Sequence, residues 1–332
     1  MTILVTGSSG HLGEALMRTL TAQGRDVIGL DIRPGAFTHR VGSLTDRDAV
    51  HNAMTGVTVV LHAATLHKPH VATHSRQDFV DVNITGTLNL LEEAVAADVV
   101  AFVYTSTTSV FGDALVPPPG EPAAWVTEGV TPVPKNIYGV TKAAAEDLCQ
   151  LFARNHAVPA IVLRVSRFFP EADDDAAVRS AYDDSNAKVN EFLHRRVDIE
   201  DVVDAQLKAI THAPTAGFAK YIISATTPFS REDMTELRNN APRVVRRYVP
   251  DYAQEYARRG WTMFDGLDRV YVNDKARAEL GWRPSHDFRT LVARLKADQD
   301  IRSPLAQTIG SKGYHERAFE HGPYPVADPV RA

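Results

Sequence analysis

Tyr138 and Lys142 stand four residues apart in the stretch Asn136 to Lys142, a spacing that projects both from one face of a helix. A run of hydroxyl side chains, Thr105 to Ser109, lies upstream. A phenol titrates near pH ~10, so it takes a proton at neutral pH only where positive charge stands close by. A lysine ammonium one turn away is such a charge. With a hydroxyl to hold the same oxygen, this set could strip the proton from a secondary alcohol while its C–H faces a hydride acceptor. Taken alone, an exposed Tyr and Lys at helical spacing account for the pattern equally well.

A hydride acceptor has its own signature at the start of the chain. Ile3-Leu4-Val5 is an apolar run ending in Thr6, after which Gly7, Gly10 and Gly13 recur at every third residue and an apolar-periodic segment, Leu12-Ala15-Leu16-Leu20, begins. This reads as strand, glycine turn and helix. The glycines permit a tight turn and close approach to phosphate, and the free N–H groups at the helix start, with the positive end of its dipole, attract a pyrophosphate. A second apolar run, Val27 to Leu30, ends in Asp31, where a carboxylate would hold a ribose hydroxyl. Asp31 would repel a 2′-phosphate, so NAD is expected rather than NADP, although Arg33 pulls the other way.

Alternating strands and helices must position these groups. Val41 to Asp46 ends a short strand and caps a helix. Val57 to Ala64 is a near-continuous apolar run, as in a parallel strand covered on both faces, and its small Ala63 and Ala64 would let a cofactor lie close. A helix is expected from Asn83 to Ala97, a buried strand from Val99 to Tyr104, the helix of Tyr138 and Lys142 to about Asn155, and a strand from Ala160 to Val165. Beyond Val165 the periodicity weakens: Asp173 to Asp175 read as a solvated loop, with a polar stretch continuing to Asn190. A helix from Asp201 to His212, a strand near Tyr221 and a helix stopping at Gly281-Trp282 follow, and Trp261 and Trp282 read as core or lid packing. The last thirty residues, rich in Gly, Pro and His, are expected to form a surface tail over the domain or a partner.

This alternation predicts an α/β fold, a Rossmann-type doubly wound parallel sheet with a smaller, partly interleaved C-terminal substrate-binding domain. Residues 1–165, joined by about 196–224, would form the NAD-binding domain; 166–195 and 225–300 the substrate-binding region; 301–332 the tail. The 332 residues are 44% hydrophobic and 23% charged, an ordinary globular composition, and a net charge of −5 gives no electrostatic reason to expect nucleic acid or an anionic membrane. Cys149 is the only cysteine, which fits a reducing compartment. The first strand begins at once, leaving no room for a signal peptide, and no apolar run approaches ~20 residues, so a cytoplasmic protein is expected. His62, His67, His70 and His74 lack helical or finger spacing and no cysteine joins them, so no metal is expected.

In their order these residues resemble the extended short-chain dehydrogenase/reductase superfamily, in its NAD-dependent epimerase/dehydratase branch, UDP-glucose 4-epimerase-like proteins among them. The likeness rests on Thr6-Gly7-x-x-Gly10-x-x-Gly13, Asp31, His62-Ala63-Ala64, Asn83-x-x-Gly86-Thr87, Thr107 ahead of Val110-Phe111-Gly112, Tyr138-x-x-x-Lys142, Arg196 to Val203, and Lys275 to Trp282. It implies that Thr107, Tyr138 and Lys142 are catalytic, with Thr107 hydrogen-bonding the substrate oxygen whose proton Tyr138 removes, and with Lys142 and the oxidised nicotinamide ring together supplying the positive charge that Tyr138 needs. It places Gly7, Gly10, His11, Leu12 and Gly13 around the pyrophosphate, Asp31 and Ile32 at the adenosine ribose, and Ser43 and Leu44 beside adenine. The family usually has an aspartate where Ser43 stands. Ala63, Ala64 and Thr65 would line the middle of the cofactor, His67 would stand where some members place a cofactor-contacting lysine, Tyr138 and Lys142 would also touch it, and Val165 would reach the carboxamide. Substrate contacts are implied at Thr107, Thr108, Arg167 and Asn190. A homodimer is implied through helices around Gly86 to Ala97 and Gly139 to Asn155.

Three departures narrow the expectation. Thr108 and Ser109 stand where sugar-nucleotide 4,6-dehydratases carry an acidic pair, which argues against water elimination. Phe169 to Arg196 is shorter than the segment that typically grips a UDP-sugar. Arg167 replaces the usual asparagine, and a fixed guanidinium beside the cleft would suit a carboxylate or phosphate, unless it pairs with the Asp173 to Asp175 run. Three readings stay open: an NAD-dependent epimerase acting on a sugar or sugar nucleotide; a dehydrogenase of a free sugar, sugar acid or small alcohol; and a non-catalytic NAD-binding regulator.

Overall fold

Seven strands, each parallel to its neighbours, form the central sheet of the computed structural model, which describes residues 1–313. In chain order the first part runs β1 (Thr2–Thr6), α1 (His11–Ala22), β2 (Val27–Asp31), β3 (Arg40–Val41), α2 (Arg47–Met54), β4 (Val57–His62), α3 (Arg76–Phe79), α4 (Gly86–Ala96), β5 (Ala101–Thr107), β6 (Ala124–Val126), α5 (Ile137–His156) and β7 (Ala160–Val165). There follow α6 (Ala176–Ala181), α7 (Asp184–Glu191), α8 (Ile199–Ala216) and β8 (Phe218–Ile223). The remainder is α9 (Met234–Asn239), α10 (Ala241–Tyr248), α11 (Tyr252–Arg259), β9 (Arg269–Tyr271), α12 (Asp274–Glu279), α13 (Phe288–Lys296) and α14 (Pro304–Ile309).

The strand order β3-β2-β1-β4-β5-β7-β8 reverses between β1 and β4, which opens a crevice beyond their carboxyl ends. Register sets Thr6 beside His62 and Thr107 beside Val165, so the ends of four strands meet at that crevice. The strands read as continuous apolar runs because both faces are covered. Ile3, Val5, Val103 and Leu163 pack under α1 and α8, while Leu4, Val60, Phe102 and Val162 pack under α2, α4 and α5. Each such side chain contributes about 1.5–3 kcal/mol of burial, so the sheet is the rigid part on which the cleft stands. A second apolar cluster gathers Val189, Phe192, Phe229, Leu237, Val244, Tyr252, Tyr256, Phe288 and Leu291, and the pair β6·β9 lies beside it.

Three expectations change. The helix expected from Asn83 is interrupted: Gly86 N donates to Asp81 O, five residues back, so residues 80–85 form a wide turn before α4. That widening leaves the Asn83 side chain bonded to the Leu66 backbone instead of stacked along the helix. The polar stretch before Asn190 is helical, as α6 and α7, because Asp175 and Asp183 cap their first turns. Of the acidic run only Asp175 is exposed: Asp173 and Asp174 are drawn inward by Arg167, Arg195 and Lys68.

In the expected tail, Ser303 is buried and donates to Asp198 Oδ1 at 2.6 Å, and α14 packs on α1 and α8. Residues 314–332, the rest of that tail, lie outside the described residues. Trp282 is fully buried and donates to Asp201 O at 2.9 Å, a core role, whereas Trp261 packs against Tyr256. No described helix is long and apolar enough to cross a membrane.

Candidate active site

The cleft begins at the turn between β1 and α1. Gly7 adopts φ +74°, and a Cβ there would meet the Ala64 backbone at 2.9 Å. A Cβ on Gly13 would lie 1.8 Å from Gly7 O, so the turn closes onto the helix only with hydrogen at that position. Gly10 caps α1 without a side-chain acceptor, so the first N–H groups of the helix are left for a ligand. Asp31, at the end of β2, accepts from Ser9 N and Arg33 N, each at 2.9 Å, which fixes its carboxylate at the mouth. Ser43 bonds Thr45 Oγ1 at 2.8 Å, and Asn89 Nδ2 donates to Leu44 O at 2.8 Å, holding the loop across from Asp31.

The opposite wall is held by buried polar relays. Thr6 Oγ1 accepts from Ala63 N and Ala64 N at 3.2 Å and is 2.8 Å from His62 Nδ1, while His62 Nε2 is 3.0 Å from Thr87 Oγ1. Burial first, and the charge of Lys142 second, push the His62 pKa down to about 3, so this relay uses a neutral imidazole. Asn83 bonds both the Thr65-Leu66 turn and Thr141, tying the cofactor wall to α5. The short sequence Asn83-x-x-Gly86-Thr87 therefore carries two positioning side chains. Gly86 sits between them because a Cβ there would meet Leu44 Cβ at 2.8 Å.

At the inner end, α5 starts at Asn136, whose Oδ1 accepts from Gly139 N at 3.0 Å, and this cap aims Tyr138 at the end of β5. Thr107 Oγ1 accepts from Ser109 N at 3.1 Å and stands near enough to the Tyr138 hydroxyl to lower its pKa. Lys142 is 2% exposed, donates to Thr105 O at 2.7 Å and lies 4.1 Å from the centre of the Tyr104 ring. The expected acidification of the phenol is absent from the protein alone. Burial pushes Tyr138 up to about 12, against the effect of Thr107, and pulls Lys142 down to about 7, against the charge of Glu146. The ammonium is thus partly deprotonated at neutral pH, and a further positive charge is required to make the tyrosine a base.

Gly7, Gly10, His11, Leu12, Gly13, Asp31, Ile32, Ser43, Leu44, Ala63, Ala64, Thr65, His67, Thr107, Thr108, Tyr138, Val165 and Arg167 all line one cleft of about 700 Å³. Lys142 stands behind that wall. Asn190, expected at the substrate, is not on this wall: the residue is buried, donates to Thr262 O at 3.0 Å and accepts from Tyr256 O–H at 2.7 Å. Arg167 does line the cleft but is bound to Asp173 and Asp174 at 2.7 and 2.6 Å, with Glu191 at 3.4 Å. Burial raises the Asp173 pKa, whereas beside Arg167 and Lys68 Asp174 is held well below the carboxylate range despite its burial. Sequence reading passed over Lys68, Phe168, Arg195, Arg269 and Tyr271, which also line the cleft. For Arg269 and Tyr271 a period-two spacing on a short strand was the available signal.

The turn that a Cβ would block, the uncapped helix start and the fixed carboxylate of Asp31 fit an adenine dinucleotide, with Tyr138 and Thr107 at its far end. The profile of the NAD dependent epimerase/dehydratase family matches residues 3–222. The chain is 28% identical to a dTDP-glucose 4,6-dehydratase of Streptomyces antibioticus, over 89% of this chain and 91% of that one. It is 25% identical to a UDP-glucose 4-epimerase of Rhizobium meliloti, over 87% of this chain and 94% of the other. An uncharacterized protein of Sinorhizobium fredii, y4nG, is 35% identical, and there the match spans 49% of this chain and 40% of that protein's length. Among solved structures, a short-chain dehydrogenase/reductase superfamily protein of Agrobacterium tumefaciens with bound NAD aligns with a TM-score of 0.63 at 25% identity, over 93% of this chain and 99% of that one.

Proposed function

The chain belongs to the NAD-dependent epimerase/dehydratase family, whose cofactor is NAD, and on that premise we propose that it is an epimerase acting by transient hydride transfer at a secondary hydroxyl of a sugar or sugar nucleotide. The observation that carries this reading is the meeting of Thr107 and Tyr138 on the cleft wall, with Lys142 buried behind them and hydroxyls at Thr108 and Ser109. Acid–base elimination of water needs a carboxylate pair at those last two positions, and none is there.

Gly7, Gly10, His11, Leu12 and Gly13 would hold the pyrophosphate, Asp31 the adenosine ribose, and Val165 the carboxamide end. Bound NAD supplies the hydride acceptor and, when oxidised, positive charge beside the phenol. Thr107, its oxygen already accepting from Ser109 N, donates to the oxygen that Tyr138 deprotonates, so proton removal and C–H alignment act on one carbinol. Lys142, fixed on Thr105 O, stabilises the resulting phenolate. After the keto intermediate turns, Tyr138 returns its proton as hydride comes back to the other face. Residues 166–195 and 225–300 would shape the substrate side.

Turnover of a substrate deuterated at the reacting carbon tests the proposal: the label is retained in the epimer and no NADH accumulates, and Tyr138→Phe lowers kcat by about 10²–10⁴-fold. Label washed out into solvent, or turnover indifferent to Tyr138→Phe, rejects it. The second reading is a dehydrogenase of a free sugar, sugar acid or small alcohol, favoured by the short segment between Phe169 and Arg196, which holds only the helices α6 and α7. It requires NADH to build up in proportion to substrate consumed. We also propose a homodimer through α4 and α5, since Val140 and Leu151 lie exposed on one face of α5; a single-chain mass in light scattering would exclude it. A cytoplasmic setting is proposed from the lone cysteine, Cys149, which is buried.

A further inference from the structure

Resting on the placement of the pyrophosphate at the turn between β1 and α1, we infer that residues 311–313 complete the NAD site, with the Lys312 ammonium as a further contact to the pyrophosphate. In sequence these residues belong to the expected surface tail, about three hundred positions from the glycine turn. The fold brings the two together. Ser303, buried on Asp198, caps α14, and α14 packs on α1, the helix whose open end faces the cleft. Ile309 is buried in the apolar cluster that also holds Val5, Leu12 and Leu16, so the end of α14 is fixed to the body of that turn. Gly310, at φ +61°, ends the helix and redirects the chain, and Lys312 and Gly313 then line the same cleft as Gly10, His11 and Leu12.

Two contacts hold the segment in place, one on each side of the cleft. Ser311 Oγ donates to Glu171 Oε1 at 2.6 Å, on the loop that follows β7, and the Lys312 ammonium pairs with Glu14 Oε2 in the first turn of α1. The other oxygen of Glu14 accepts from Arg18 Nε at 2.8 Å, so one carboxylate is shared by two cations and the ammonium is only partly matched. Burial pulls the His11 pKa down to about 4, with Glu171 opposing the fall and Lys312 adding to it, so the imidazole at the helix start is neutral and brings no charge to a phosphate. Glu14 and Glu171 would both repel a pyrophosphate at this turn. Lys312 offsets part of that repulsion, and its flexible stem lets the ammonium pass from carboxylate to phosphate oxygen. NAD leaves only when the segment lifts, so the effect belongs mainly to the dissociation rate. The Lys312 side chain is 32% exposed, which makes the contact sensitive to salt.

The test is cofactor release from the full chain without substrate, read as the loss of bound NADH fluorescence on mixing with excess NAD. Lys312→Gln is expected to release NADH about 3- to 10-fold faster than the parent, and Lys312→Glu faster still, while Lys312→Arg, which keeps the charge, stays close to the parental rate. Raising the salt from ~0.05 to ~0.5 M should speed release in the parent more than in Lys312→Gln, a difference that a merely structural role for the side chain does not produce. Ser311→Ala, which frees the segment from Glu171 and leaves the ammonium in place, should speed release and keep the salt dependence. Parental release in Lys312→Glu, release from Lys312→Arg as fast as from Lys312→Gln, or a salt dependence equal in parent and Lys312→Gln overturns the inference. Gly13→Ala separates the two failures. If that variant binds NAD as the parent does, the placement of the pyrophosphate is wrong and the contact falls with it; if it weakens NAD while Lys312→Glu changes nothing, the placement stands and only the role of residues 311–313 is lost.

Discussion

Replacing Glu146 by Gln asks whether charge holds the catalytic helix against the strand that carries Thr107. Glu146 lies one turn beyond Lys142 on α5 and is 1% exposed. It accepts from Ser106 Oγ at 2.6 Å, from Arg164 Nε at 3.0 and 3.2 Å and Nη2 at 2.7 Å, and from Lys220 Nζ at 3.1 Å. Burial alone would raise its pKa, yet the hydrogen bonds and charge of Arg164, with Lys220, hold it below the usual value. Arg164 is itself 3% exposed and rests on the Phe111 ring, so it finds no water when its partner is removed. Removing one member of a buried pair costs about 3–5 kcal/mol. Glutamine keeps one acceptor oxygen but turns an amide donor toward the guanidinium, which sets the loss near the lower end, about 3 kcal/mol. That corresponds to a melting temperature lower by on the order of 4 °C for a chain of 332 residues.

A second consequence concerns proton affinity. Glu146 is the charge that raises the Lys142 pKa against burial, so its loss drives that pKa below about 7. If the ammonium is the active form, the alkaline limb of kcat against pH moves to lower pH in Glu146→Gln, a shift that mere loosening of the fold does not produce. Calorimetric melting of Glu146→Gln, Arg164→Met and the double variant closes a cycle. The double variant should recover much of the loss, because neither leaves a buried charge alone. A coupling energy near zero, or a Glu146→Gln protein that melts with the parent and keeps its pH profile, would refute the reasoning.

Gly13→Ala places a methyl group against Gly7 O, backbone on backbone, so the dinucleotide turn must open; NAD affinity in equilibrium dialysis should fall by about 10- to 100-fold, and an unchanged affinity contradicts the cradle. His62 sets the acid limit. Its folded pKa of about 3 lies below the unfolded value near 6.5, so its contribution is complete above pH ~6.5 and is lost as pH falls toward about 3, at up to ~1.4 kcal/mol per pH unit. Denaturant unfolding of His62→Gln across that window should show a shallower slope than the parent, and an identical slope would count against a neutral buried imidazole.

The sheet was legible because its rules act over a few residues. Val57 to His62 and Ala160 to Val165 are largely apolar, broken only by Thr58, His62 and Arg164, since helices cover both faces, and that signal needs no knowledge of distant contacts. The same holds for the glycine turn, where Gly13 has no alternative within its own loop. Legibility failed where a partner far away in sequence decides the local structure. Residues 80–85 widen because Asn83 is taken by Leu66 and Thr141, and nothing between Val80 and Thr85 announces that. Ser303 is buried because Asp198, more than a hundred residues earlier, accepts its hydroxyl proton.

Charge in the cleft shows the limit most clearly. The resemblance made Arg167 the candidate for meeting an anion, because it stands where the family usually has asparagine. In three dimensions Arg167 has carboxylates around it, as do Arg195 and Arg196, whereas Arg269, more than a hundred residues on, makes no ion pair among the described residues. The difference lies in pairing rather than in chemistry: an acidic run beside Arg167 in sequence folds back onto it, while β9 brings Arg269 to the cleft with no acid attached among the described residues. A guanidinium can recognise a substrate only to the extent that its own protein leaves it incompletely matched.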